Sequence, residues 1–213
     1  MKITYLAHSA FLITAEDGTR IMTDPYTAGG DIHYGPIDEP ADVVTVSHDH
    51  FDHNNTRAVP GASDVLTAPG KAGGISFRCV ATHHDESGGS QRGDNNMFCF
   101  TVDGVNVCHA GDLGHTLSPE QIDDTGRVDV LFIPVGGYYT IDATAASRVC
   151  EQLRPGIAIP MHYKTDRIDF PIAGVDGFLK GKGNVTRLDA SEVEITADRP
   201  GAATRIIVLQ PAK

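Results

Sequence analysis

Cysteine is scarce in this 213-residue chain, and what there is does not cluster. Cys79, Cys99, Cys108 and Cys150 lie far apart, form no C-x-x-C pair, and have apolar neighbours such as Phe98 and Phe100. This argues against a disulfide framework and predicts free thiols buried in strands and a helix. Basic charge is also in deficit: 17 Lys and Arg stand against 28 Asp and Glu, a formal net charge of −11. This argues against a broad basic patch for long nucleic acids or anionic membranes. A small anionic substrate is still compatible, because bound divalent cations reverse the local sign of a pocket. No run approaches the ~18 apolar residues of a membrane span. Met1 to His8 holds no basic region followed by an apolar stretch, so no secretory signal is expected. The expectation is a soluble, cytoplasmic protein in a reducing setting, with room for a homo-oligomer. No linker, composition break or repeat interrupts the chain, and one α/β domain over residues 1–213 is predicted.

What is present suits a sizeable core, with 40% hydrophobic and 21% charged residues. Short apolar runs predict strands at Ile3–Leu6, Ala10–Thr14 and Arg20–Thr23, the last two joined at Asp17-Gly18. Residues 26–41 read as a loop. Asp42–Val46 is a β-branched run of the kind buried on both faces. Further strands are expected at Val65–Ala68, Phe77–Thr82, Met97–Val102, Val105–Ala110, Val128–Pro134, Ile157–Pro160, Val193–Thr196 and Thr204–Leu209. Ser118-Pro119-Glu120-Gln121 has the form of a capping box with Pro at the first helical position. Asp142 is a plausible cap for a helix over Ala143–Leu153, and a third helix is expected near Val175–Lys180.

Five strand-like segments end in potential metal ligands: Asp24, the run His48 to His53, His84, Asp112 and His162. Strand-end loops are where a rigid scaffold displays function. The run Ser47-His48-Asp49-His50-Phe51-Asp52-His53 is the strongest signal. In an extended turn His48 and His50 point the same way and can hold one ion. Asp52 and His53, past the bend, can face a second. Imidazole and carboxylate donors suit Zn²⁺, Mn²⁺ or Fe. His83 and His84 are neighbours on an extended chain and face opposite sides, so only one of them should coordinate.

His48-x-His50-x-Asp52-His53 resembles the signature of the metallo-β-lactamase superfamily. Asp24, His84, Gly111-Asp112 and His162 follow in that superfamily's order, so the likeness spans residues 1 to about 165. Leu6-Ala7-His8-Ser9, His84-Asp85-Glu86 with Arg92-Gly93, His109 to His115, and Pro160-Met161-His162-Tyr163 resemble its UlaG-like branch of metal-dependent hydrolases; Ala7 stands where that branch usually has Gly. The resemblance implies a four-layered αββα sandwich, two mixed sheets flanked by helices. It implies two divalent ions, Zn²⁺ foremost with Mn²⁺ or Fe as alternatives. The first would be held by His48, His50 and His84, the second by Asp52, His53 and His162, with Asp112 bridging. The His-Asp-Glu pattern favours His84 over His83.

Asp24 would accept the N–H of a ligating imidazole, or would serve only as a turn residue before Pro25. His8 matches the branch's early histidine and is a candidate to reach the pocket, there to bind substrate or donate a proton. His115 has similar standing, and Arg92 is a candidate anion anchor. Lys164 reads more readily as a surface charge. Gly136-Gly137-Tyr138-Tyr139 is either a pocket wall or a tight turn. The function implied is hydrolysis of an ester, lactone, amide, thioester or phosphodiester bond of a small molecule by a metal-activated bridging hydroxide. Asp52, Asp112 and His8 are the catalytic candidates. Two alternatives stand beside it: an iron-dependent redox enzyme on the same fold, which the lack of a flavin domain disfavours, and a non-catalytic metal-binding module, which the complete ligand set disfavours.

Overall fold

The computed structural model describes residues 1–197 and 203–213. The chain opens with β1 (Lys2–Ala7), β2 (Ala10–Thr14) and β3 (Arg20–Thr23), followed by β4 (Val43–Thr45) and β5 (Asp64–Leu66). Next come β6 (Gly70–Ala72), β7 (Ile75–His83), β8 (Asp94–Val102), β9 (Val105–His109), α1 (Pro119–Thr125) and β10 (Val130–Pro134). The remainder is α2 (Ala143–Leu153), β11 (Ile157–Met161), α3 (Asp176–Leu179), β12 (Val185–Arg187), β13 (Glu192–Glu194) and β14 (Arg205–Val208). Two mixed sheets result. One runs β13-β1-β2-β3-β4-β5 and the other β12-β14-β11-β10-β9-β8-β7-β6.

Side-chain alternation along the strands divides the apolar residues among three layers of packing. Ile3, Tyr5, Phe11 and Ile21 from the first sheet meet Phe98, Phe132 and Ile159 from the second, forming the core between the sheets. There the Phe11 ring stacks on Phe132 at 4.1 Å. The alternate residues of the second sheet, such as Met97, Leu131 and Ala158, pack under Ala146, Val149 and Phe178 of the helices. β10 feeds both layers and lies between parallel neighbours β9 and β11, which is why its five residues are all apolar and buried.

The outer face of the six-stranded sheet is covered differently. Met22 and Val44 pack against Tyr26, Ile32, Tyr34, Ile37, Ile168 and Phe170, all outside regular helix. The metallo-β-lactamase type of sandwich is therefore present, with loop segments as its fourth layer. The short strands β6 and β12 were not expected. At three residues each, with Gly, Lys, Thr and Arg among them, they carry no periodic apolar signal.

Both expected helix caps are made. Ser118 Oγ accepts from Gln121 N at 3.2 Å, and the Gln121 side chain accepts from Ser118 N at 2.9 Å. Asp142 Oδ1 accepts from Thr144 N and Ala145 N. Gln121 also donates to Ala81 O, tying α1 to β7. Ser118→Ala should therefore lower stability by about 1 kcal/mol, seen as a small fall in Tm with unchanged metal content. No helix among the described residues is long and apolar enough to cross a membrane.

Candidate metal centre

The candidate ligands gather where strand ends of the two sheets meet. His8 follows β1, Asp24 follows β3, and His48 to His53 follow β4, all in the six-stranded sheet. His84, Asp112 and His162 follow β7, β9 and β11 of the other. His162 N donates to His8 O across the seam, and Asp24 N donates to Thr45 O within the six-stranded sheet, each at 2.9 Å. His8, Asp24 and His162 all adopt positive φ, at 56°, 41° and 50°. Non-glycine residues hold that conformation at a cost of order 1–3 kcal/mol each, so the surrounding packing must enforce it.

Asp112 is the hub. Its Oδ2 lies 3.1 Å from His84 Nε2, 3.2 Å from His53 Nε2, 3.3 Å from His162 Nε2 and 3.9 Å from His48 Nε2. On one side the donor atoms of His48, His50 and His84 lie within 4.8 Å of one another. On the other, those of Asp52, His53 and His162 converge equally closely, joined by His8. The two groups are the two ligand sets expected, with Asp112 between them. His84 rather than His83 faces the centre. The His83 ring is 42% exposed and pairs with Asp94 at 3.1 Å.

The donor set fits divalent cations on two observations. Asp112 Oδ1, His53 Nε2 and His162 Nε2 are buried with no hydrogen-bond partner, a costly state unless something else satisfies them. The titration directions agree. Burial, then His53, pulls His48 down to about 3. Burial, then His162, pulls His8 down to about 4. Both are thus neutral at pH 7, which for His48 is the form that ligates a metal. Burial opposes a charge on His53, but Asp112 and Asp52 outweigh it and hold that imidazole protonated above its ordinary range. A bound cation would take over that compensating charge and release the proton.

The supporting residues are specific. Asp24 Oδ2 accepts from His53 Nδ1 at 2.8 Å and from Ser47 Oγ at 2.6 Å, while its Oδ1 accepts from Ser47 N. Of its two expected roles, Asp24 therefore occupies the one behind a candidate ligand. Asp24→Asn should reduce metal affinity about 10–100-fold with the fold intact, as outer partners of ligands generally do; competitive titration with a zinc chelator reads it directly. The sequence reading missed Ser47, Asn95 and His109 in this layer. Ser47 Oγ lies 2.9 Å from His48 Nδ1. Asn95 Oδ1 accepts from Asp112 N at 2.9 Å, and its amide donates to Thr82 Oγ1 and Ala110 O. His109 Nε2 bonds Ser9 O at 2.9 Å, and its Nδ1 accepts from Gly111 N.

Three expectations need correction or refinement. His115 does not reach the centre: the chain turns at Gly114, and the His115 Nε2 accepts from His83 N instead. His8 does not line the cavity beside the candidate ligands. It sits behind Asp52, its Nε2 3.1 Å from Asp52 Oδ2, because the tight connection from β1 to β2 buries it. Lys164, expected as a surface charge, is half-buried instead: its ammonium donates to Ile168 O and Phe170 O and so fixes the loop that carries Phe170.

The cavity over the centre measures about 410 Å³ and is lined by His50, Asp52, His84, Asp112 and His162 together with Phe51, Tyr139, Phe170 and Arg92. It is small-molecule sized.

Comparison with known proteins places the chain among similar molecules. The model of the beta-lactamase superfamily domain matches residues 2–162. A UPF0173 metal-dependent hydrolase of Archaeoglobus fulgidus is 30% identical, over 94% of this chain and 97% of that protein. Among solved structures, a Thermotoga maritima protein assigned to the zinc-dependent hydrolases of the metallo-β-lactamase superfamily is 34% identical. It superposes with a TM-score of 0.80 over 98% of this chain and 99% of its own. Igni18, a metallo hydrolase of Ignicoccus hospitalis, shares the fold at 22% identity, with a TM-score of 0.64 over 100% and 96% of the two chains.

Proposed function

This chain belongs to the metallo-β-lactamase superfamily, and from that premise and the geometry of its centre we propose that it is a dinuclear metal-dependent hydrolase of the UlaG-like type. The observation that carries the reading is Asp112, whose single oxygen Oδ2 stands within 3.9 Å of four imidazole nitrogens drawn from both ligand groups. A carboxylate so placed suits a bridge between two cations. His48, His50 and His84 would hold one, and Asp52, His53 and His162 the other. When bound, such cations supply a Lewis acid and a water acidified toward neutral pH. Zn²⁺ suits this nitrogen-rich set best, with Mn²⁺ or Fe as alternatives. The bonds within reach of this chemistry are ester, lactone, amide, thioester and phosphodiester.

The chain's own groups divide the remaining work. Asp52 faces the cavity, and its Oδ2 is backed by His8. His8, neutral at pH 7, therefore orients the Asp52 carboxylate rather than supplying a proton, and Asp52 is the group placed to relay one to the leaving group. Asp24 fixes the His53 ring through Nδ1, leaving Nε2 directed at the centre. The 410 Å³ cavity supports a small molecule as substrate.

The test is metal analysis joined to an activity screen. Protein purified without added metal, then loaded with zinc, should hold two ions per chain. It should hydrolyse at least one member of a panel of esters, lactones, thioesters and phosphodiesters. A chelator should abolish that activity. Silence across the panel, with oxygen consumption in the presence of a reductant, would overturn the hydrolytic reading in favour of the redox one.

A further inference from the structure

One wall of the cavity is aromatic. Phe51 and Phe170 meet edge to face at 6.3 Å, Tyr139 meets Phe170 at 5.6 Å, and Tyr138 meets Tyr139 at 4.7 Å. Phe51 is 54% exposed and Tyr138 63%, so the strip reaches solvent at the mouth. Large apolar side chains are seldom left in water in a row without a use. Tyr138 adopts a φ of +61°, a conformation an aromatic residue rarely takes. The turn that carries Tyr138 and Tyr139 is therefore held against its own backbone preference.

Arg92 stands at the end of this wall. Its guanidinium lies 5.8 Å from the centre of the Tyr139 ring and pairs with no carboxylate among the described residues. Asp31, also on the rim, makes no ion pair with it. Arg92 is nonetheless carefully placed. The carboxylate of Asp85, next to His84, accepts four backbone N–H bonds: Ser87 and Gly89 on Oδ1, Gln91 and Arg92 on Oδ2. His84 N in turn donates to Gly93 O. The loop from 85 to 93 is thus wound around one buried carboxylate, and its rigid end presents a free planar cation to the cavity. A guanidinium oriented on an aromatic face and lacking a protein partner suits a planar or tetrahedral oxyanion.

We propose that the centre takes a small molecule with a flat apolar body and one oxyanion group, the body lying on the Phe51–Phe170–Tyr139 wall and the oxyanion, carboxylate or phosphate, pairing with Arg92. This deepens, and rests on, the hydrolytic reading of the same cavity: the scissile bond would lie between wall and metal ligands. Asp85 is then a positioning residue for Arg92.

Calorimetric titration of the zinc-loaded protein tests the idea without turnover. The probes are benzoate against acetate and benzamide, and phenyl phosphate against inorganic phosphate. At least one aromatic anion should bind about tenfold or more tighter than its small counterpart, the return expected from covering an apolar ring. Phe51→Ala, which alters an exposed ring, should erase that preference. Arg92→Gln should weaken the same aromatic anion about tenfold or more while leaving benzamide unchanged, as removal of a charge-assisted hydrogen bond requires; Arg92→Lys should fall between. Whichever probe shows the Arg92 dependence identifies the oxyanion. An aromatic anion that binds no better than acetate or phosphate, or equally well to Arg92→Gln, overturns the proposal, because it is then held by the metals alone. Arg92-dependent binding in a protein that hydrolyses nothing would sink the hydrolytic reading and leave this one standing.

Discussion

Asp112→Asn should leave a folded protein that holds less than one metal ion per chain and has lost at least two orders of magnitude of activity. The change is nearly isosteric, so Asn95 can still bind the backbone N–H of residue 112. What disappears is the negative charge. In the wild-type centre, burial alone would raise the Asp112 carboxyl, yet His162 and His53 hold it well below the usual range. Its charge is thus the natural counterpart of the cations the histidines would bind. An amide offers a neutral oxygen, and its NH₂ group can face the imidazoles that a carboxylate would share with metal. Partners standing outside the ligand shell cost about 10–100-fold when removed. A shared ligand must cost more, because both ions lose it together. Elemental analysis and initial rates on the same preparation check the claim. Full occupancy with undiminished turnover would show that Asp112 does not bridge two ions. A wild-type preparation that holds a single ion per chain at full activity would mean a mononuclear enzyme and would overturn the two-ion assignment.

The same residue shows why so much of the centre was legible in the sequence. His48, His84, Asp112 and His162 each stand just past a run of alternating or wholly apolar residues, and a strand's direction makes its end a fixed place in the sheet. Metal-ligand residue types at several such ends are therefore brought together by the sheets themselves. The helix caps were legible because the chemistry of a helix start is local: Ser118 and Gln121 find each other within one turn. Long-range partners leave no such trace. Ser47 and Asn95 are ordinary polar residues in sequence, and their importance arises only when β4, β8 and β9 come together. Asp85 bonds four N–H groups within its own loop, yet the sequence marks it only as part of the His84-Asp85-Glu86 pattern and gives no sign of that role. His115 misled for the same reason, since three residues from Asp112 is near in sequence but Gly114 turns the chain away. The loop layer was hidden by its composition. Gly and Pro between residues 26 and 41 mask Tyr26, Ile32, Tyr34 and Ile37, which cover the outer face of the six-stranded sheet.

The turn at Gly114 carries the second large expectation. Gly114→Ala should destabilise the protein by about 3–5 kcal/mol and lower Tm by roughly 10 °C, with loss of bound metal. A Cβ at this position would stand 2.2 Å from Asp85 N, 2.4 Å from the carbonyl carbon of His84 and 2.6 Å from Asp85 Cα. All three are backbone atoms, so no rotamer change relieves the contact. Gly114 N also donates to His83 O at 2.9 Å, which pins the two segments at this separation. The only relief is to part the segment after β9 from the end of β7, and that same movement draws His84 away from Asp112, now 3.1 Å apart. Stability and metal binding should therefore fall together. Gly183→Ala is the control, because a Cβ there meets no atom within 4 Å, and it should change stability by no more than about 0.5 kcal/mol. Thermal melts of the two variants, with and without added zinc, separate the outcomes. A Gly114→Ala protein that melts within 2 °C of wild type and keeps its metal would mean that the two strand ends can move apart freely, and the rigid approach of β7 to β9 would no longer explain how His84 is held against Asp112.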